Sequence, residues 1–286
     1  MYWNGMQAAI LQESAKCSLC ASYGSELPKE PMLSYKIPQG PWKFISQDLF
    51  KQGGRWYSVT VDHYSDWFEV DLLNEDITVA NVISVTKTHF ACYGIPDTFL
   101  SDKGPQEFLN FVKSYGFKLI TRSPYYARAT SKAEAAVQEA KKMLQKSDLL
   151  TGRLDHWNTP PQGMTYYPAH RFLCRRTQSN LPISESLFSQ SVPPVTVVHD
   201  EHLGRRAKAK AHYDKTASRD LSPLARGQFV YTRPNDRHRI EQWRHAEVLG
   251  EVMPRSYVVQ TQDGLARRNK IRLRPSEPQV TYDPQP

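Results

Sequence analysis

The chain is poor in cysteine, with four in 286 residues: Cys17, Cys20, Cys92 and Cys174. At this length and spacing they make no secreted disulfide framework, so a reducing compartment is expected, the nucleus or the cytoplasm. No run reaches the roughly eighteen apolar residues of a membrane span, and no membrane role is expected. No basic stretch leads into an apolar core at the N-terminus, so no signal peptide is expected. No internal repeat is present. No histidine lies among the sixteen residues before Cys17. Cys17-x-x-Cys20 is therefore a half-site, because tetrahedral structural zinc needs four ligands, and Zn²⁺ is not expected here. Cys92 and Cys174 read as buried packing residues.

What is present is an ordinary globular composition with a basic balance. The formal charge is +8 and the pI about 9.2. Length allows two or three modest domains. Charge alone is a weak pointer to a polyanion, but it is uneven. One cluster runs Arg205-Arg206-Ala207-Lys208-Ala209-Lys210 and on to Lys215. A second runs Arg267-Arg268-Asn269-Lys270-Ile271-Arg272-Leu273-Arg274. Clusters of this kind, mixed with Tyr, Trp and His, suit phosphate binding better than scattered charge does.

Patterning gives the order three strands, helix, strand, helix, strand, long helix. The strands are read at Trp42–Phe50, Trp56–Asp62, Trp67–Leu72, Asp97–Ser101 and Phe117–Thr121. The helices are read at Ile77–Tyr93, at Gln106–Tyr115 stopped by Gly116, and after Glu134. This is a mixed α/β layer with helices packed on a sheet. In the last helix Ala133, Ala136, Val137, Ala140 and Leu144 make one apolar stripe, while Gln138 and Lys141 share the face of Glu134. A broken helical stretch spans Leu154–Arg176, residues 177–200 read as loop, and a basic helix as His202–Lys215. Short strands between Gly227 and Arg272 suggest a small barrel. The last ten residues read as disordered.

Three carboxylates stand in telling places. Asp48 and Asp102 end apolar, strand-like runs, and Glu134 opens a helix. Carboxylates converging from strand ends and a helix hold two divalent cations about 3.5–4 Å apart, the clamp for in-line attack on phosphodiesters. The chain, through these contexts and through Lys16-Cys17-Ser18-Leu19-Cys20, Val61-Asp62-His63-Tyr64-Ser65, Gly94-Ile95-Pro96, Gly104-Pro105-Gln106, Ser123-Pro124-Tyr125-Tyr126, Lys132-Ala133-Glu134-Ala135-Ala136-Val137 and Pro254-Arg255-Ser256-Tyr257-Val258-Val259, resembles the integrases of Ty3/gypsy-type retrotransposons over nearly its whole length.

The resemblance implies an RNase H-like catalytic core followed by a small SH3-like β-barrel. It divides the chain into residues 1–25, a remnant of an N-terminal zinc-binding domain; 26–38, a linker; 39–190, the catalytic core; 191–222, a linker with the basic helix; 223–275, the DNA-binding barrel; and 276–286, a tail. It implies that Asp48, Asp102 and Glu134 hold Mg²⁺ or Mn²⁺ for DNA 3′-end processing and strand transfer. It implies DNA contacts from Gln138, Lys141, Arg205, Arg206, Lys208, Lys210, Arg267, Arg268, Lys270 and Arg272, DNA as partner and work as a homo-oligomer. In the family two histidines precede the cysteine pair, so here either the chain starts late or the zinc site is gone.

The sequence also departs from the family. Residues 103–133 make a shorter interval between Asp102 and Glu134 than the family usually has. Lys103 stands where the family usually has Asn, and an ammonium beside a metal site opposes cation binding. Ser131 stands in place of a loop glycine, which stiffens the helix entry; Thr130 or Ser131 still suits an N-cap. Three readings follow: a working transferase, a DNA-binding protein that keeps the fold without the chemistry, and an interaction protein using the core as a dimerisation surface.

Overall fold

The computed structural model describes residues 3–17, 22–23, 27–73, 77–101, 106–121, 131–146, 148–180, 182–233 and 242–276. Cys20, Asp102, Lys103, Thr130 and the tail after residue 276 lie outside the described residues. The chain forms two compact units, one from Leu33–Arg122 and Ala127–Ala211, the other from Met1–Met32 and His212–Pro286.

The larger unit is built on a five-stranded mixed sheet in the order β3-β2-β1-β4-β5. Strands β1 (Phe44–Gln52), β2 (Arg55–Asp62) and β3 (Phe68–Leu72) run antiparallel. Strands β4 (Thr98–Ser101) and β5 (Lys118–Thr121) join in parallel beside β1. Gln52 pairs with Arg55 across Gly53 and Gly54, whose φ values are 56° and 79°. Two left-handed residues are what a tight hairpin with right-twisted strands requires, and glycine adopts that conformation without steric cost.

The first helix, α1 (Met6–Lys16), belongs to the second unit; in the larger unit helices cover both faces of the sheet. On one face α2 (Val79–Tyr93) and α3 (Gln106–Tyr115) bury Phe90, Phe108 and Phe111 against Ile45, Phe99 and Phe117. The β-branched residues of α2 disfavour a helix slightly; burial and the Thr78 cap, whose hydroxyl accepts from Asn81 N at 3.2 Å, outweigh that. On the other face α4 (Ser131–Lys146) lays Ala133, Ala136, Val137 and Ala140 on Phe50, Val59, Val61 and Val70. The stretch read as one broken helix is two: α5 (Leu149–Trp157), capped by Asp148, and α6 (Pro168–Leu173), with Pro168 in its first turn. Pro160 and Pro161 separate them because proline removes a helix donor.

The basic helix α7 spans Val195–Asp214 and so begins earlier than the charge pattern indicates. Val195-Thr196-Val197-Val198 is a poor helix former, but Val198 is fully buried with Tyr64 and Met164. Tertiary packing overrides propensity there.

The second unit carries a five-stranded antiparallel sheet in the order β10-β6-β7-β8-β9, compatible with an SH3-like domain. The strands are β6 (Phe229–Thr232), β7 (Arg244–Met253), β8 (Ser256–Thr261), β9 (Gly264–Asn269) and β10 (Leu273–Pro275), with a 3-10 turn at Lys270–Arg272. Val230, Val248, Tyr257, Val259 and Leu273 form its core. Residues 27–32 are bonded into this unit: Leu27 N donates to Ile271 O at 3.1 Å and Met32 N to Asp214 Oδ1 at 2.8 Å.

Candidate active site

Alternation along β1 decides where Asp48 goes. Phe50 packs under α4, and side chains two apart on a strand share a face. Asp48 therefore belongs to the face that α4 covers, opposite Val59 in the register. It is half-buried, and its Oδ1 accepts from Leu49 N at 2.9 Å. Glu134 stands in the first turn of α4 and is half-buried. The alanine stripe beside it lets the helix lie close to the sheet. Lys141 comes to the same face, its ammonium 5.8 Å from the centre of the Phe50 ring. Gln138 is exposed on α4. Thus two of the three carboxylates and one candidate phosphate ligand share one face of the sheet.

Ser101, the last residue of β4, immediately precedes Asp102 in the sequence. Among the described residues no group of three or more His, Cys, Asp or Glu converges on a metal position. By donor chemistry the set is all carboxylate, and hard oxygen donors suit Mg²⁺ or Mn²⁺ rather than a thiophilic metal. Cys17 is half-buried. Cys92, expected in the core, is exposed on α2, and Cys174 is half-buried in a left-handed conformation, φ 59°.

Behind the first turn of α4 lies a charged cluster that the sequence does not announce. Between β2 and β3 the chain turns through Asp62–Asp66, and Asp66 sits at φ 62°. Its Oδ1 meets Lys132 Nζ at 2.7 Å; its Oδ2 meets Arg171 Nη1 at 2.8 Å and Arg205 Nη1 at 3.0 Å. Burial alone would raise the Asp66 carboxyl, but these cations hold it well below the usual carboxylate range. Lys132 also donates to His63 O at 2.6 Å, and Arg171 to Tyr64 O at 3.1 Å. Burial pulls the Lys132 ammonium down against the pull of Asp66.

The neighbours are as constrained. Asp62 accepts from Trp42 N at 3.0 Å, Ser65 N at 2.8 Å and Ser65 Oγ at 2.5 Å. Burial raises its carboxyl in spite of the Ser65 bonds. His63 stacks on Phe44 at 4.0 Å and is pushed well below its ordinary value by burial, then by Lys132 and Arg206. His202 donates from Nε2 to Tyr64 O at 2.7 Å; burial and Lys132 lower it to about 4.

The basic residues divide by environment. Lys208 and Lys210 are exposed on α7. Arg205 is committed to Asp66, and Arg206 to the carbonyl of Tyr35. In the second unit Arg267 donates to Ser256 Oγ at 2.7 Å and Arg268 to Arg267 O at 3.1 Å. Lys270 and Arg272 are both 6% exposed. Lys270 pairs with the buried Glu30 at 3.2 Å, which turns its ammonium inward rather than toward a phosphate.

No protein-family model matches the chain. The uncharacterized protein K02A2.6 of Caenorhabditis elegans is 24% identical over 292 residues, covering 96% of this chain. The chain spans only 22% of that relative's length. Among solved structures, the simian T-cell lymphotropic virus intasome in complex with PP2A regulatory subunit B56 gamma matches with a TM-score of 0.59 at 14% identity, over 96% of this chain and 92% of that one. The catalytic core of BIV integrase (TM-score 0.39, 19% identity) and that of HTLV-2 integrase in complex with magnesium, in a trimeric form (0.37, 18%), each cover 46% of this chain. They match 94% and 97% of their own lengths. The chain therefore shares its fold over 96% of its length with the matched chain of that intasome, and its larger unit is a mixed α/β layer on a five-stranded sheet.

Proposed function

We propose that the chain is a metal-dependent polynucleotidyl transferase of the integrase kind, derived from a gypsy-type element, acting on DNA ends in the nucleus as a homo-oligomer. The observation that carries this reading is the common placement of Asp48, Glu134 and Lys141 on one sheet face; Asp102 follows the last residue of β4 in the sequence. Asp48, Asp102 and Glu134 would hold Mg²⁺ or Mn²⁺, which when bound supplies charge stabilisation at the phosphate and lowers the pKa of an attacking hydroxyl. Lys141 and Gln138 would hold the DNA end beside the carboxylates, the ammonium against a phosphate and the amide by hydrogen bonding. In end processing water attacks phosphorus and a 3′ oxygen leaves; in strand transfer the freed 3′ hydroxyl attacks a target phosphodiester. One phosphodiester breaks as another forms in the second step, so no energy-rich cofactor is needed.

The test is an end-processing and strand-transfer assay with Mn²⁺ on labelled DNA, comparing the protein with Glu134→Gln. Metal-dependent product that the variant lacks supports the reading. A second reading rests on Lys103 and the shortened interval before Glu134: a DNA-binding protein without the chemistry. It is favoured if a folded protein binds DNA in a salt-dependent way and yields no product with either metal.

A further inference from the structure

The first turn of α4 carries two charged side chains with opposite tasks. Lys132 and Glu134 are two residues apart, and side chains at that spacing on a helix do not face each other. Lys132 turns back to the corner between β2 and β3, where it makes two bonds, to Asp66 Oδ1 at 2.7 Å and His63 O at 2.6 Å. That corner does not yield easily. Asp66 is held from α6 by Arg171, whose side chain is fully buried, and from α7 by Arg205. Arg171 and His202 both donate to Tyr64 O, and Asp62 closes the turn through Ser65 and Trp42.

We infer that Lys132 is a positioning residue for Glu134: its ammonium pins the first turn of α4 to the Asp66 corner and thereby sets where the Glu134 carboxylate stands. The inference rests on the reading of Glu134 as a metal-holding carboxylate. Such a carboxylate must be placed to about 0.5 Å, and a helix start is where a helix frays most easily. A two-point anchor one half-turn behind Glu134 removes that freedom without placing a cation on the carboxylate itself. Outer partners of this kind typically change metal affinity or activity by about 10–100-fold when removed.

The experiment uses the full chain and the variants Lys132→Met and Lys132→Gln. Both leave Asp66 paired with Arg171 and Arg205. Two readouts are taken: hydrogen exchange of the peptide covering residues 131–137, and the Mn²⁺ concentration dependence of strand transfer. The variants should keep their DNA affinity, exchange faster at 131–137 with the sheet still protected, and need about tenfold more Mn²⁺ for half-maximal product. Unchanged exchange and unchanged Mn²⁺ dependence would overturn the proposal. If the wild-type protein makes no product, the transferase reading fails by itself, and the exchange readout alone decides whether Lys132 anchors the turn. If neither variant folds, Lys132 serves the fold at large and the proposal is overturned.

Discussion

Glu30 and Lys270, near opposite ends of the chain, meet at 3.2 Å inside the second unit, with the Glu30 carboxylate 1% exposed. The same carboxylate lies 3.4 Å from Arg255 Nε and accepts from Leu221 N at 3.0 Å. A carboxylate so enclosed is tolerable only because cations and a donor surround it. The pairing makes residues 27–32 a working part of that unit.

Removing one partner of a buried ion group strands the others. Glu30→Ala should therefore destabilise the second unit by about 3–5 kcal/mol, with Glu30→Gln milder because it keeps an acceptor for Leu221 N. Urea unfolding followed by the fluorescence of Trp243, which is buried in this unit, reads the effect. A loss below about 0.5 kcal/mol, the scale of an ordinary surface change, would show that the pair adds little.

Exposed and buried cations should behave differently toward DNA. Lys208→Gln with Lys210→Gln is expected to weaken binding and to lower the slope of log affinity against log salt by about 0.9 for each phosphate of duplex DNA that is no longer neutralised. Fluorescence anisotropy across a salt series measures it. An unchanged slope would remove α7 from the DNA interface.

Acid should weaken the larger unit before its carboxylates titrate. His202 is held neutral with a pKa of about 4, against 6.5 for the free side chain, by burial and by the facing Lys132, with Asp66 opposing. A lowered folded pKa means that the unfolded chain takes up the proton first, so this stabilisation is present above about pH 6.5 and is lost as the pH falls toward 4. Linkage gives a loss of about 2 kcal/mol between pH 7 and pH 5 from this group. His63 shifts in the same direction; Asp62, whose carboxyl is raised, acts in the opposite direction. Chemical denaturation of the protein and of His202→Gln at both values tests it, and equal losses in the two proteins would refute the assignment.

The alanine stripe of α4 sets how near Glu134 comes to the sheet. Ala140 is fully buried against it. Ala140→Leu should cost about 1–3 kcal/mol through overpacking and reduce metal-dependent product by lifting the helix. Undiminished stability in thermal unfolding would mean that the interface has slack.

Much of this was legible from local pattern. The strands of the larger unit, the helix whose first turn carries Glu134 and its apolar stripe follow from period and composition, because each depends on neighbours within a few residues. The early start of α7 did not, since Val198 is helical for what it packs against. The candidate site was half legible: Asp48, Glu134 and Lys141 stand out by context, and strand alternation for Asp48 with the packing of α4 for the other two then places them on one face. The Asp66 corner was not legible. Its motif was visible as Val61-Asp62-His63-Tyr64-Ser65, but Lys132, Arg171 and Arg205 come from three helices far along the chain.

Element order, basic balance and the identity of the acidic residues are properties of residue type and short spacing, and local pattern carries them. Which charges face each other is a matter of the folded chain. Folding turned Lys270 inward to Glu30 and Arg205 to Asp66, while the side chains of Lys208 and Lys210 are exposed. The physical reason is that a cation's role depends on whether a carboxylate reaches it out of water, and that is set by the path of the whole backbone rather than by any run of residues.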